Sequence, residues 1–385
     1  MQPNQASPRQ AGQFKMDSHS AKFLAVDSFL AQVIERGDSP GAVYLIGERG
    51  KVVATKAIGH AVVEPELIEA RLDTIYDLAS LTKPLVTALL AVKLAEGGLI
   101  GFDERAADYL PELARNEKQE ILIKHLLTHT AGLPAWKPLY NSISDPQDVL
   151  DFLVEIELEY RPGKRTIYSD LGYILLGKLI ERVCGEKLDQ LARKHIFEPL
   201  KLKRTFFNPP DNLRQEIAAT EMGNLYEARM IGNVESGPPL RRGLIWGQAH
   251  DGNAYFLGGV SGHAGLFSTA QEVFQMAMQF LPGSCLLGSN SFELFRTSYT
   301  AGLEEDRSIA FMLASSKSSS AGQRLPWSSF GHTGFTGTSL WIDPGSEQVY
   351  ILLTNRVHPI CREINFNDIR RRFHDLAAEA MMSDG

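Results

Sequence analysis

The sequence predicts an α/β protein of the α+β type, in which an antiparallel sheet flanked by helices is built from both termini around an inserted, mainly helical domain. Two observations lead to this prediction. Runs rich in β-branched and aromatic residues lie near both ends of the chain, and helical periodicity dominates between them. One sheet made from both ends, with helices on its faces, is the economical way to bury these runs. We therefore expect a sheet domain from 20–78 and 300–385, a helical domain at 79–299 and a disordered tail at 1–19.

The first elements follow from apolar spacing near the start of the chain. Residues Ser20 to Arg36 carry apolar side chains at helical intervals, which predicts a helix. Two β-rich runs follow, Ala42–Ile46 and Val52–Ile58, and the Glu48-Arg49-Gly50 segment between them is typical of a hairpin turn.

The middle of the chain is predicted to be mostly helical. Leu85 to Glu96 is apolar on nearly all sides, which indicates a buried helix, and Gly97-Gly98 ends it. Thr269 and Glu272 have the spacing of a capping box before a further helix. The remaining predicted helices are Ile121–Leu127, Gln147–Glu157, Leu171–Val183, Asp189–Ile196 and Ala270–Phe280.

The end of the chain returns to β character. Strands are predicted at Ile309–Ala314, Thr338–Ile342 and Val349–Thr354, and Asn365 to Met381 is predicted to be a closing helix. The polar run SSKSSSAGQR between the first two strands indicates a flexible loop.

Composition limits the partners and the compartment. The 385 residues are 44% apolar with a net charge of −7, which does not favour a nucleic-acid partner. The chain has neither a signal-like apolar region near its start nor a run of about 18 apolar residues. Three widely spaced cysteines, Cys184, Cys285 and Cys361, do not suggest a disulfide framework. We expect a cytoplasmic protein without a membrane span, or an extracytoplasmic one if a signal peptide has been removed.

Ser80-Leu81-Thr82-Lys83 is the first motif that suggests chemistry. Pro84 follows it, and proline is tolerated only in the first turn of a helix, so the helix must begin close to Ser80. Ser80 and Lys83 then share one face, at a helix end that favours negative charge. A serine hydroxyl needs a base within reach, and burial of a lysine makes its neutral amine accessible. By itself this spacing is weak evidence, because a capping serine and a surface lysine would give the same pattern.

Two further motifs strengthen the first. Tyr168-Ser169-Asp170 precedes a predicted helix, and His332-Thr333-Gly334 comes just before a predicted strand. Together with Ser80 and Lys83, in this order, they resemble the β-lactamase and penicillin-binding-protein superfamily. The chain is most similar to class C β-lactamase-like esterases and D-amino-acid peptidases, over roughly 42–359. The resemblance implies a β-lactamase/transpeptidase-like fold and a serine hydrolase that needs neither a metal nor an organic cofactor.

The resemblance also implies roles for individual residues. Ser80 would be the acylated nucleophile, with Lys83 and Tyr168 handling its proton, and the choice of base between these two stays open. The N–H of Phe335 would bind the oxyanion beside the N–H of Ser80, and the third motif, His332-Thr333-Gly334, would line the site.

Two departures from the usual motifs bear on the substrate. Asp170 stands where the family usually has Asn, and His332 stands where β-lactamases usually have Lys. A histidine is mostly neutral near pH 7, so both changes disfavour an anionic β-lactam. The expected partner is a neutral or cationic small molecule, an ester, amide or peptide-like compound, and the expected activity is that of a carboxylesterase, D-amino-acid peptidase or β-lactamase.

Several alternatives stay open on the sequence alone. The protein could be a sensor of β-lactams or peptidoglycan fragments that acylates but deacylates slowly, or a catalytically silent homologue, against which the intact Ser-Lys-Tyr set argues. His125 and His129 have a spacing that can bind metal, but packing is favoured because no third ligand is evident. His250, Asp251 and Asn253 are as consistent with a wall of the site as with a loop stabilised by Asx turns.

Overall fold

A large antiparallel sheet forms the frame of the molecule. The computed structural model describes residues 22–115, 117–232 and 241–382. Within these ranges the sheet has seven strands, in the spatial order β3-β2-β1-β10-β9-β8-β7. The strands are β1 (Gly41–Glu48), β2 (Lys51–Val62), β3 (Ile68–Glu69), β7 (Met312–Leu313), β8 (Phe330–Thr333), β9 (Ser339–Asp343) and β10 (Gln348–Thr354), and a smaller sheet contains β4 (Tyr76–Asp77), β5 (Phe206–Phe207) and β6 (Leu266–Ser268).

The sheet joins the two ends of the chain, as the sequence predicts. Strands β1 and β2 form the expected hairpin, with Arg49 and Gly50 at positive φ in its turn. Strand β1 then pairs antiparallel with β10, in a register that sets Ala42 opposite Thr354. Because β1 is buried along nearly its whole length, this central pair is covered on both faces.

Helices account for most of the remaining regular structure. The helix that matters most for the site, α7 (Asp170–Cys184), begins at the last residue of the Tyr168-Ser169-Asp170 motif. In chain order the helices are α1 (Leu24–Glu35), α2 (Leu89–Glu96), α3 (Ala106–Tyr109), α4 (Ile123–Leu127), α5 (Leu139–Ser142), α6 (Val149–Glu155), α7 (Asp170–Cys184), α8 (Leu188–Ala192), α9 (Leu225–Met230), α10 (Gly252–Phe256), α11 (Ala270–Ala277), α12 (Phe292–Arg296) and α13 (Phe366–Met382).

The two faces of the sheet are covered by different parts of the chain. On one face α1 and α13 pack together, with Tyr44 of β1 and Phe373 of α13 in the same apolar cluster. On the other face Val43 and Leu45 join a much larger core shared with the helices between the two ends of the sheet. The confirmed architecture is therefore an antiparallel sheet with helices on both faces.

The differences between the predicted and observed elements that bear on the site concern two strands and one helix. The predicted strand Ile309–Ala314 shrinks to Met312–Leu313, and strand β8, Phe330–Thr333, was not predicted. The apolar run expected to form one helix begins instead with a π-helical turn, Lys83–Ala88, before α2. The third motif therefore lies at the end of strand β8, whereas the sequence placed it only ahead of the strand that follows.

Some sequence predictions concern parts of the chain that the structure does not test. The predicted tail 1–19 lies outside the described residues, and the domain boundaries stay predictions. Cys184, Cys285 and Cys361 are free thiols. Across the described ranges no helix has both the length and the apolar character needed to cross a bilayer.

Candidate active site

A strained turn presents Ser80 at the end of strand β4. The residue before it, Ala79, has a φ of +47°, a conformation that costs energy for any residue with a Cβ. The buried Asp77 carboxylate holds this turn by accepting the Ala79 N–H at 2.8 Å. A short 3₁₀ turn, Ala79–Leu81, follows, and Pro84 lies in the first turn of the π-helical segment, as its missing N–H requires.

Lys83 is fully buried and its amine is surrounded by three oxygen acceptors. Nζ lies 2.9 Å from Ser80 Oγ, 2.9 Å from the His263 carbonyl oxygen and 2.6 Å from Asp170 Oδ1. The first two contacts are hydrogen bonds, and the third is an ion pair that favours an ammonium group. The geometry therefore suits a charged Lys83 at rest.

Opposing influences set the pKa of Lys83. Burial lowers the pKa of the amine, because a charge is poorly solvated in the interior. The carboxylates of Asp170 and, more remotely, Asp251 raise it, and the Arg307 guanidinium lowers it. Asp170, which stands where the family usually has Asn, thus favours the charged form of Lys83.

Tyr168 lies beside Lys83, just ahead of helix α7. The lysine Nζ is 4.8 Å from the centroid of the Tyr168 ring, and His129 stacks on that ring with centroids 4.5 Å apart. Burial raises the pKa of the phenol well above 10, and the Asp170 charge adds to this, while a hydrogen bond with Ser80 opposes it. Tyr168 is therefore neutral at rest and lies in the same pocket as the Ser80 hydroxyl.

The Tyr168 motif is fixed in place by the cap of α7. The Ser169 side chain accepts the Gly172 N–H at 3.2 Å and donates to the Pro134 carbonyl oxygen at 2.6 Å. This cap begins the helix at Asp170, so the Asp170 carboxylate lies in the first turn, where negative charge is stabilised.

The third motif brings His332, Thr333 and Gly334 from strand β8 to the same pocket, with Phe335 following in the turn. The His332 ring lies 5.9 Å from that of Tyr168. Burial lowers the pKa of His332 well below 6.5, and the nearby Lys83 and Arg307 charges add to this. His332 is therefore neutral near pH 7, as the sequence indicated.

A pocket of about 460 Å³ opens over Ser80. Seven of the eight predicted site residues line this pocket, and the eighth, the buried Lys83, contacts Ser80 from beneath. Its lining also includes aromatic side chains, and charged ones that no motif marked. These additional residues are Trp136, Tyr226, Glu227, His250, Asp251, Glu305, Arg307, Arg356 and Arg370.

The sequence analysis did not identify the three arginines that line the pocket. Arg307 is buried, pairs with Glu305 at 2.7 Å and lies 5.4 Å from the centroid of the Tyr168 ring. Arg356 approaches from the turn after strand β10, and Arg370 from helix α13. None of the three belongs to a local pattern that could have indicated a site before the chain was folded.

The segment left open in the sequence analysis divides in two. His250 and Asp251 line the pocket, whereas Asn253 is buried and bonds the backbone of Leu139 and Lys137. His250 is paired with the buried Glu221 at 3.0 Å. Part of this segment is thus a wall of the site and part is a structural clamp.

The two histidines spaced for a metal instead bond the backbone. His125 Nδ1 accepts the Leu122 N–H, and His129 Nδ1 accepts the Ser169 N–H. Among the described residues no group of three potential ligands could hold a metal ion.

Comparisons with known proteins agree with this geometry. The sequence model described as "Beta-lactamase" matches residues 26–369. A putative D-alanyl-D-alanine carboxypeptidase of Escherichia coli (strain K12) is 32% identical, with 92% of this chain and 86% of that protein aligned. A putative D-alanyl-D-alanine carboxypeptidase of Salmonella agona (strain SL483) is 31% identical over the same shares.

Solved structures show the same fold. EstCE1, a hydrolase with promiscuous acyltransferase activity, superposes with a TM-score of 0.74 at 22% identity, covering 94% of this chain and 99% of its own. A β-lactamase from Sulfitobacter sp. EE-36 gives a TM-score of 0.71 at 20% identity, covering 96% and 100%. The fold is therefore that of the β-lactamases and transpeptidases. Since the family match spans most of the sequence, the chain belongs to the β-lactamase family and is a β-lactamase-like serine hydrolase.

Proposed function

We propose that this protein hydrolyses an ester or amide bond through an acyl-enzyme on Ser80. The observation that carries the proposal is the 2.9 Å contact between Ser80 Oγ and the buried Lys83 amine at the pocket floor. Ser80 Oγ bonds to the substrate carbonyl carbon, the carbonyl π electrons move to its oxygen, and the serine proton passes to the Lys83–Tyr168 pair. Collapse then expels the alcohol or amine with that proton, and water later releases the acid.

Lys83 is the proton acceptor that the contacts favour. Its amine touches the serine oxygen directly, whereas the raised pKa of Tyr168 makes a phenolate costly. Lys83 must first lose a proton, and the Asp170 carboxylate at 2.6 Å makes that loss harder. Tyr168, which lines the pocket with Ser80 and lies beside Lys83, is the group proposed to relay a proton to the leaving group.

Two main-chain amides support the negative oxygen in this proposal. Among the described residues, neither the Ser80 N–H nor the Phe335 N–H donates to another backbone group. Donors that are free before the reaction and aimed at the developing charge stabilise the transition state most.

The lining favours a peptide-like substrate. It combines acidic side chains, Glu227 and Asp251 among them, with arginines, so it can receive both charged ends of a short peptide. The relatives named putative D-alanyl-D-alanine carboxypeptidases support the same substrate class. Simple esters, which acylate more readily than amides, are expected to serve as model substrates.

The test compares Ser80→Ala with Ser318→Ala, a serine of the same pocket lining. We expect the wild type to release p-nitrophenol continuously from p-nitrophenyl acetate and D-alanine from a peptide ending in D-alanyl-D-alanine. Ser80→Ala should lose at least about 1,000-fold in kcat/KM, while Ser318→Ala should stay close to wild type.

Mass spectra taken during turnover separate the alternatives. A transient acyl adduct on Ser80 with continued product release supports the hydrolase. One stoichiometric burst followed by a persistent adduct would identify a slow sensor instead. Full activity in Ser80→Ala would overturn the proposal.

We further propose a reducing compartment, with the cytoplasm as the first candidate. The support is that Cys184, Cys285 and Cys361 are all unpaired. Fractionation of the native organism with an antibody to this chain tests the assignment, and recovery with extracytoplasmic proteins would refute it.

A further inference from the structure

The turn that carries Phe335 is pressed against the turn that carries Ser80. A Cβ on Gly334 would lie 2.4 Å from the Leu78 carbonyl oxygen and 2.1 Å from Thr338 Oγ1, so only glycine fits. Thr338 Oγ1 also donates to the Leu78 carbonyl oxygen at 3.1 Å. Gly334 is therefore packed directly against the loop that carries the nucleophile.

Two arginines bind the carbonyl oxygens of this turn. Arg370 Nη2, from helix α13, donates to the Gly334 oxygen at 2.5 Å, and Arg356 Nε donates to the Phe335 oxygen at 2.8 Å. Arg370 is only 6% exposed, and its Nη1 is fixed by Asn367 Oδ1 at 2.7 Å. The guanidinium that contacts the peptide is thus held in one orientation.

The two guanidinium groups bring positive charge close to this turn. Within the described part of the chain neither Arg356 nor Arg370 forms a salt bridge, and both stack on the Phe366 ring. Burial, with repulsion from Arg356, lowers the pKa of Arg370 to about 9, so it is still charged near neutral pH. Burying such a charge is costly, and the protein keeps it beside a peptide carbonyl.

We propose that Arg370 is a positioning residue for hydrolysis: it aims and polarises the Gly334–Phe335 peptide so that the Phe335 N–H binds the oxyanion. The C=O and N–H of a trans peptide point in opposite directions, so a cation at the oxygen fixes where the N–H points. The same cation draws electron density toward the oxygen and makes the N–H a stronger donor. Arg356 holds the next peptide in the same way. This inference rests on the proposed function.

A competing interpretation is that Arg370 binds an anionic group of the substrate directly, since it also lines the pocket. The two roles predict different kinetic effects for a substrate that has no negative charge. Direct binding affects only anionic substrates and mainly KM, whereas positioning affects the chemical step for every substrate.

The experiment measures Arg370→Gln, Arg370→Lys and the control Arg372→Gln, an exposed arginine on the same helix. With uncharged p-nitrophenyl acetate, we expect Arg370→Gln to lower kcat about 10- to 100-fold, as the loss of one charge-assisted hydrogen bond implies, with KM changed less than about threefold. A boronic acid that forms a tetrahedral adduct on serine should lose affinity by a similar factor. Arg370→Lys should recover part of both losses, and Arg372→Gln should match wild type.

Several results would overturn the inference. An unchanged kcat on p-nitrophenyl acetate with folded Arg370→Gln refutes positioning, and a rise in KM confined to anionic substrates establishes direct binding instead. If circular dichroism shows that Arg370→Gln does not fold, Arg370→Lys decides, because unchanged kcat and boronate affinity in that variant also refute it. Activity retained in Ser80→Ala would refute the proposed function itself, which keeps the two failures distinct.

Discussion

Asp170 is an acid at a position where the family usually has an amide, and it contacts the amine that must lose a proton. Its carboxylate lies 2.6 Å from Lys83 Nζ and raises the pKa of that buried amine. Asp251, Arg307 and the ring of Tyr168 also face this amine, but from farther away. Asp170 is therefore the nearest control on the pH dependence of the reaction.

Asp170→Asn should move the acidic limb of the pH profile. The rate needs the neutral amine, so activity rises as pH passes the pKa of Lys83. Removing the carboxylate lowers that pKa, and we expect the acidic limb of kcat/KM to move down by at least about one pH unit. The profile is measured with p-nitrophenyl acetate between pH 5 and 10, against the control Asp189→Asn on helix α8. A limb that does not move would mean that Lys83 is not the group titrating there.

The sequence indicated the site residues that belong to motifs, but it missed those that reach the pocket only when the chain is folded. Ser80, Lys83 and Tyr168 were recognisable because each stands at a fixed spacing from others of its motif. Arg307 and Arg370 enter the pocket from elements whose local sequence has no catalytic pattern. Only the folded sheet and its covering helix bring them to Ser80.

Helix α11 illustrates how far local patterns determine an element. The predicted capping box forms by half: Thr269 Oγ1 accepts the Glu272 N–H at 3.3 Å. The Glu272 carboxylate does not return to the cap. It instead accepts the Lys203 and Arg204 N–H groups and the Thr205 hydroxyl, at 2.6–2.9 Å. One glutamate thus ties the start of α11 to the chain leading into strand β5.

Substitution of Thr269 and of Glu272 should lower the free energy of unfolding by different amounts. Thr269→Ala removes one cap bond and should lower the free energy of unfolding by about 1 kcal/mol. Glu272→Ala leaves several donors without a partner and should cost more, about 2–3 kcal/mol. Urea denaturation measures both, with exposed Gln271→Ala expected within about 0.5 kcal/mol of wild type. Equal losses for both variants would contradict the separate role of Glu272.

Strand β8 was missed because a glycine interrupts its β pattern. Gly331 lies within the strand, and a Cβ there would come 2.3 Å from the Trp341 ring of strand β9. Glycine weakens a strand, so the local sequence predicts a loop. The Trp341 ring, however, leaves no room for a side chain at position 331, so the strand needs glycine there. Packing between strands, which is invisible to a local pattern, decides the element.

At the scale of the whole molecule, the layer of α1 and α13 covers and supports one face of the sheet. Phe373 is fully buried there, with its ring 6.0 Å from that of Tyr44. Phe373→Ala should lower the free energy of unfolding by about 3–5 kcal/mol, because it leaves a cavity in a close-packed layer. Exposed Leu24→Ala on α1 should change it by less than about 0.5 kcal/mol.

Phe373→Ala is also expected to keep the wild-type KM at temperatures where it stays folded. The phenylalanine does not line the pocket, although its helix carries Arg370. Denaturation curves and steady-state kinetics on the same preparation test both expectations. A loss below 1 kcal/mol would mean that this layer contributes little to stability.

The overall architecture was predictable because β-rich segments stand at both ends of the chain and helical ones between them. Which strands become neighbours was not, since pairing depends on partners far away in sequence. Strand β1 shows the scale of this separation, because Glu48 lies opposite Gln348, 300 positions along the chain.

That pairing has a consequence for biosynthesis. A ribosome releases β1 about 300 residues before β10. Strand β1, which is apolar and buried in the finished protein, must therefore wait with its central edge unpaired. Long-range closure of this kind is slow relative to local helix formation. Nascent chains of this protein should consequently depend on chaperone protection until β10 has emerged.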